Sequence, residues 1–166
     1  MTDRWRHLEV ADQWGRRAVV TGANAGLGFV STLALVTAGA EVVMAVRDLD
    51  RGRAAAQRIR EEVPDAKLRV IHLDLAELAS VRDFAAGLVE EPEPVDILLN
   101  NAGVMLVPRR EITTGGFERQ MGVNHLGHFA LTVGLLPALH RSSGGARVVS
   151  VTSLTYARVG PLVALQ

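Results

Sequence analysis

The segment Thr21-Gly22-Ala23-Asn24-Ala25-Gly26-Leu27-Gly28 spaces three glycines as G-x-x-x-G-x-G. It follows a short β-branched run, Arg17–Thr21, and precedes Val30, Leu33, Ala34 and Ala38, which fall on one helical face. Glycines at such a turn permit a sharp reversal, let backbone approach a pyrophosphate, and let helix pack close to strand. The helix N-terminus adds unpaired N–H groups and partial positive charge. Thr21, Gly22, Asn24, Gly26, Leu27 and Gly28 are therefore the candidate phosphate contacts. The loop lacks the Gly-Lys-Ser/Thr of a P-loop. A glycine-rich turn that holds no ligand is the competing reading.

A second candidate stands at Val46-Arg47-Asp48, the end of the next β-branched run. At this distance from the glycines a dinucleotide fold presents an acid to the ribose 2′-hydroxyl or an arginine to a 2′-phosphate. Arg47 comes first, and a guanidinium holds phosphate bidentately, which favours NADP over NAD. Asp48 points the other way, yet it is also a natural helix N-cap. An ordinary surface arginine remains the alternative for Arg47. His125 and His128 stand three apart on a helix, as a metal pair could, but no third ligand is apparent. A structural or substrate-side role is expected for them. Arg109 and Arg110 read as a solvated loop pair.

These residues need elements to position them. Strand-like runs at Arg17–Thr21, Glu41–Val46, Leu68–Leu73, Val95–Asn100 and Arg147–Thr152 alternate with helical patterns. The helices cover Leu27–Ala38, Asp48 to about Glu62, a stretch marked by Leu78, Val81, Phe84, Ala85 and Leu88, and a long one over Phe117–Leu139. Gly122, Gly127 and Gly134 make the last irregular. Continuous apolar strands are how strands buried on both faces read. Separation by helices implies right-handed crossovers and an open parallel sheet, with ligand at the carboxyl ends of the strands.

Composition narrows the function classes. Eighteen basic residues balance eighteen acidic ones, so no global charge grips nucleic acid. Aromatics at 4% are too few for a base-stacking platform. The absence of cysteine excludes a disulfide scaffold, a thiolate metal site and a cysteine nucleophile. The longest apolar stretches, Leu27–Ala40 and Phe129–Leu139, fall short of the ~20 residues of a membrane span. No targeting segment is visible, and a cytoplasmic protein is expected. Residues 1–14 read as an N-terminal extension and 15–166 as a single nucleotide-binding domain.

Together these motifs resemble the short-chain dehydrogenase/reductase family, in its retinol-dehydrogenase-like branch. Thr21–Gly28 is similar to its nucleotide signature, and Asn100-Asn101-Ala102-Gly103 to its N-N-A-G motif. Asp74, followed by Leu75, matches the acid that contacts adenine. Asn124-His125-Leu126-Gly127-His128-Phe129 resembles its long-helix segment, and Val148-Val149-Ser150-Val151-Thr152-Ser153 the strand that delivers its serine. The resemblance implies a Rossmann-type doubly wound sheet with helices on both faces. It implies hydride transfer between NADP or NAD and a small-molecule alcohol or carbonyl, with Ser153 and Asn124 catalytic. It also implies a homo-oligomer built through the long helix. Asn101 could touch cofactor or bridge strands, the latter being favoured, with Ala102 and Gly103 lining the cofactor. Asp74 could equally cap the next helix.

The chain departs from the pattern in one respect. The family's Tyr-x-x-x-Lys is absent: Tyr156 is the only tyrosine, Gly160 stands four residues on, and the only lysine is Lys67. The expectation is an N-terminal part of a longer enzyme, its sheet stopping after the fifth strand. A dinucleotide-binding module without turnover is the alternative. Ser150 and Thr152 are expected to face the core or the sheet surface. Val148–Val151 is expected to form an apolar edge, which invites association and lowers stability.

Overall fold

The computed structural model describes residues 10–153. Five parallel strands, β1 (Arg17–Thr21), β2 (Glu41–Val46), β3 (Leu68–His72), β4 (Ile97–Asn100) and β5 (Arg147–Ser150), lie in the order β3-β2-β1-β4-β5. The order reverses between β1 and β4, the switch point at which open sheets of the Rossmann type bind ligands. Helices α1 (Gly26–Thr37), α2 (Leu49–Glu62), α3 (Leu78–Glu90) and α4 (His128–His140) flank the sheet.

Alternation along β1 divides the core in two. Ala18 and Val20 join Val42, Met44 and Val46 beneath Phe29 and Val36 of α1 and Ala55 and Ile59 of α2. Val19 faces the other way, with Val43, Leu98, Phe84 and Leu88 of α3, and Leu131 and Leu135 of α4. β1 is buried throughout, and β2 at every residue but Glu41. The expectation of strands buried on both faces fails at the edges. β3 is buried only at Leu68, and all of β5 is exposed, Ser150 included, as is Thr152 just beyond it. Val148 pairs with Leu98 and Val149 with Leu99, and both valines are 46% exposed although Leu98 is fully buried.

The predicted helix over Phe117–Leu139 also needs correction. Phe117 and Glu118 lie outside it. Glu118 forms an antiparallel bridge with Ile112, and its carboxylate accepts the N–H groups of Gln120 (2.9 Å) and Met121 (2.8 Å). Those backbone donors hold the Glu118 carboxyl below the usual carboxylate range. Met121–Gly127 then winds as a π-helix, wider than an α-helix, before α4 proper begins. Gly122 and Gly127 lie within this wide stretch, both buried.

At the amino ends of the strands, buried Arg17 reaches Glu91 (2.7 Å) and Glu41 (3.2 Å), while Arg69 holds Glu91 with two 2.7 Å hydrogen bonds. The Arg69 bond, followed by the charge of Arg69 itself and that of Arg17, keeps the Glu91 carboxyl acidic against the opposing effect of burial. Asp96 accepts from the Arg17 backbone N–H (2.8 Å) and from the Ser142 hydroxyl (2.6 Å). Gln13 donates to the Ala38 carbonyl (2.8 Å), and Trp14 lies against Gly39. The end of the expected extension is therefore docked on the sheet domain.

An edge strand with two half-exposed valines is a template for pairing with another chain. Val149→Lys is expected to raise the concentration at which light scattering first detects association. The unfolding free energy from urea titration should change by less than about 0.5 kcal/mol, as for an exposed position. An unchanged association threshold would show that β5 is not the adhesive edge.

Candidate functional site

The carboxyl ends of all five strands border one cleft of about 470 Å3, within the size range of small-molecule sites. Thr21 at the end of β1, Gly22 and the run from Asn24 to Leu27 form one rim. Ala45 and Arg47 come from β2, and Leu73, Asp74 and Leu75 from the segment after β3. Asn101 to Val104 follow β4, Val151 follows β5, and Val123 rises from the π-helical segment.

The glycine loop is shaped for close approach. Gly22 (φ 65°) and Gly26 (φ 53°) occupy the left-handed region, where a side chain is strained. Gly28 lies beneath the cleft and not on its wall. A Cβ there would press into the Gly22 carbonyl oxygen and stand 2.5 Å from Asn101 Nδ2. The start of α1 is left open to a ligand. Ala25 supplies no side-chain cap, and the first turn carries no acid. Its neighbour α2 is closed by contrast, because Asp48 Oδ1 accepts from the Arg51 N–H (3.0 Å) and Asp50 sits in the first turn. The open N–H groups and positive end of α1 therefore face the cleft, where a pyrophosphate fits.

The capping bond gives Asp48 a structural task at the end of β2. Asp48 belongs to α2, and Arg47 is the residue of the pair that lines the cleft. Asp74 lines it too, while its Oδ1 accepts from Ala76 N–H (2.8 Å) and so shapes the turn before α3. Asn101 bridges strands: its Nδ2 donates to the Thr21 carbonyl (2.8 Å). Thr21 Oγ1 in turn accepts the backbone N–H groups of Asn101 and Ala102, each at 2.9 Å. Asn124 stands behind the wall. Its Oδ1 accepts from Val104 N–H and its Nδ2 donates to the Val104 carbonyl, both at 2.8 Å. Ser153 is exposed, two residues beyond Val151. Tyr156 and Gly160 lie outside the described residues.

Sequence reasoning missed the apolar lining, Ala45, Leu73, Val104, Val123 and Val151, since an apolar residue in or beside a strand or helix carries no mark that it borders a cleft. It gave His128 a structural or substrate-side role without naming its partners. This imidazole is buried, with Nε2 2.9 Å from Thr21 Oγ1 and Nδ1 3.1 Å from the Asn124 carbonyl oxygen. A signal existed: His128 shares a helical face with Leu131 and Leu135, where a polar residue demands a partner. His125 goes elsewhere and stacks on Phe129, centroids 6.5 Å apart.

Comparison with known proteins agrees with this geometry. The family model for short chain dehydrogenase matches residues 16–164. The chain belongs to the short-chain dehydrogenase family. Human retinol dehydrogenase 13 is 47% identical over 142 residues, covering 86% of this chain and 42% of that protein. Mouse polyprenol dehydrogenase is 49% identical over 147 residues, covering 87% of this chain and 44% of that protein. The chain thus spans less than half the length of these curated relatives. Among solved structures, the Pseudomonas aeruginosa RhlG/NADP active-site complex superposes with a TM-score of 0.70 at 33% identity, covering 84% of this chain and 53% of the other. A short-chain dehydrogenase is an oxidoreductase that uses a nicotinamide cofactor, and the cleft has the features such a cofactor needs.

Gly28→Ala tests the close approach. Overpacking against the Gly22 carbonyl and Asn101 should cost about 1–3 kcal/mol in urea unfolding, because the backbone on one side cannot retreat. A variant as stable as the parent would show that the loop tolerates a methyl and that the contact is not a constraint.

Proposed function

We propose that this chain binds a nicotinamide dinucleotide, NADP in preference to NAD, and that it serves hydride transfer between that cofactor and an alcohol or carbonyl carbon. The observation that carries the reading is the convergence of the uncapped α1 terminus, Arg47 and the Asn101–Gly103 wall on one cleft at the switch point. Bound there, the nicotinamide would supply or accept the hydride.

The chain's own residues would hold and orient. The N–H groups opening α1 take the pyrophosphate. Arg47 takes a 2′-phosphate through its guanidinium. Asp74 and Leu75 border the adenine end, and Ala102 and Gly103 present bare backbone to the cofactor's flank. Asn124 keeps that flank in place through Val104. Ser153, beyond Val151, would steady the substrate oxygen. Val104, Val123 and Val151 give the cleft apolar surface, and two relatives are named for the apolar alcohols retinol and polyprenol. An apolar alcohol or its carbonyl counterpart is the substrate class that fits. Self-association through α4, where Phe129, Val133 and Leu136 are exposed, belongs to the same proposal. Among the described residues no helix is long and apolar enough to cross a membrane.

A second reading, dinucleotide binding without turnover by this chain, draws on Tyr156 and Gly160, which do not form a Tyr-x-x-x-Lys pair. Oxidation of NADPH in the presence of an apolar aldehyde separates the two: turnover supports the first reading, and tight binding without it supports the second.

Titration of nicotinamide fluorescence should show NADPH binding more tightly than NADH. Loss of the charge-assisted contact in Arg47→Asp should weaken NADPH by about tenfold or more, and so reverse the order. An unaltered ratio would remove Arg47 from the site. Failure of both coenzymes to bind at millimolar concentration would overturn the reading as a whole.

A further inference from the structure

The contacts beneath the cleft converge on a side chain that the proposed function does not use. His128 opens α4 and is buried. A carbonyl oxygen only accepts, so the 3.1 Å contact with Asn124 places the ring hydrogen on Nδ1. The neutral ring then offers the Nε2 lone pair, and the Thr21 hydroxyl donates to it across 2.9 Å. With its hydrogen so directed, Thr21 Oγ1 has two lone pairs left. Asn101 N–H and Ala102 N–H occupy both. The hydroxyl is saturated, and every bond in the group has one direction.

Both partners of His128 lead to the cleft wall. Thr21 fixes Asn101 and Ala102. Asn124, whose carbonyl takes the Nδ1 hydrogen, clips Val104 through its side chain. We propose that His128 is a positioning residue for the dinucleotide: in its neutral Nδ1–H form it sets the Thr21 hydroxyl and thereby the Asn101–Val104 wall, and protonation loosens that wall. The inference rests on the dinucleotide reading of the cleft.

Protonation breaks the arrangement by simple counting. Both ring nitrogens would then donate. Thr21 Oγ1 would face three hydrogens with two lone pairs, and its own hydrogen would have only the Leu99 carbonyl, 3.4 Å away. One of the wall's backbone donors must be released. The surroundings already oppose the charge: burial, chiefly, lowers the His128 pKa below its ordinary 6.5, and the Asn124 carbonyl acts weakly the other way. The groups that face it are uncharged, namely Thr21 from β1, the Asn124 carbonyl from the π-helical segment and Thr132 on its own helix. From β4, Leu99 contributes a carbonyl and Asn100 an amide bonded to Thr132. Arg47 and Asp74 in the cleft, and the imidazole of His125 one turn back, do not contribute to the shift. Arg82, Asp83 and Glu90 of the packed helix α3 are exposed.

The sign follows. Above pH 6.5 the ring is neutral whether the chain is folded or unfolded. As pH falls below 6.5, the unfolded chain takes a proton that the folded network resists, so stability declines toward the lower folded pKa. Cofactor affinity declines when the folded ring itself protonates.

The test uses the 166-residue chain and NADH, which lacks the 2′-phosphate that would itself titrate near pH 6. The dissociation constant is measured from pH 8 to pH 5, with circular dichroism at each pH to confirm folding. The parent should bind evenly above pH 6.5 and about tenfold more weakly once the ring is charged, the equivalent of one lost buried hydrogen bond. His128→Phe should be about as weak at pH 7.5 and insensitive to pH. His128→Gln, whose Oε1 can accept the Thr21 hydroxyl, should regain most of the affinity and also lose the pH dependence. Nitrogen-15 shifts of the parent ring should report the Nδ1–H tautomer. If His128→Phe does not fold, a pH-independent His128→Gln decides. Parent binding that stays flat to pH 5, an Nε2–H tautomer, or a His128→Gln variant that titrates like the parent would each overturn the proposal and leave the dinucleotide reading standing. No NADH binding by the parent at any pH would overturn both.

Discussion

The Thr21 hydroxyl is the junction on which the cleft depends. The β1–β4 ladder ends at the pair Val20–Leu99, after which the two chains diverge to make room for a ligand. Divergence strands the backbone N–H groups of Asn101 and Ala102 without ladder partners. Thr21 Oγ1 takes both, and Asn101 Nδ2 returns the favour to the Thr21 carbonyl. One β-branched side chain thus extends the sheet's hydrogen bonding past the sheet's end. Valine would have nearly the same shape and strand propensity, but it would leave two part-buried donors unpaired at about 1–3 kcal/mol each. The switch point can open because this residue closes it chemically.

The two ends of the sheet handle charge in opposite ways. At the amino ends, Arg17 and Arg69 meet Glu41 and Glu91, and Asp96 takes a backbone N–H and a hydroxyl. That end is closed by ion pairs made within the protein, although Arg17 Nε is buried without a partner. At the carboxyl ends the helix terminus of α1 is left uncapped, while that of α2, beside it, is capped by Asp48. Equal numbers of acids and bases therefore hide a polarity: beside the cleft, the positive end of α1 is left open where that of α2 is closed.

Much of this was legible because periodicity and glycine spacing report backbone geometry directly. The alternation of strands and helices, the loop at Thr21–Gly28, and the placing of Arg47 and Asp74 beyond β2 and β3 all follow from local pattern. The limits are equally physical. Phe117 and Glu118 carry helical neighbours, yet a carboxylate that reaches forward to two N–H groups starts the helix after them. The π-helical turn over Met121–Gly127 depends on tertiary contact, since a Cβ at Gly127 would strike the Leu75 carbonyl. His128 reads as a polar interruption of an apolar face, and only the fold brings Thr21, 107 residues away, to its Nε2. Asp48 was ambiguous until its bond to Arg51 was visible.

Support is uneven across the cleft, and the unevenness separates binding from chemistry. The walls proposed for phosphate and ribose spring from β1 and β2, buried almost completely, and from β4 beside them. Its last wall, Val151 leading to Ser153, springs from β5, exposed along its whole length and hydrogen-bonded among the described strands to β4 alone. Helices α1 and α2 cover β1 to β3 on one face, whereas Ile97 and Leu99 of β4 are only partly buried there. Local opening free energies scale with such burial, so β5 should exchange amide protons before β1 does. The residues proposed to grip a dinucleotide therefore sit on the most stable part of the sheet, and the proposed serine sits on the least. Anything that packs against β5 would order the Ser153 end of the cleft without disturbing the end proposed to hold the cofactor.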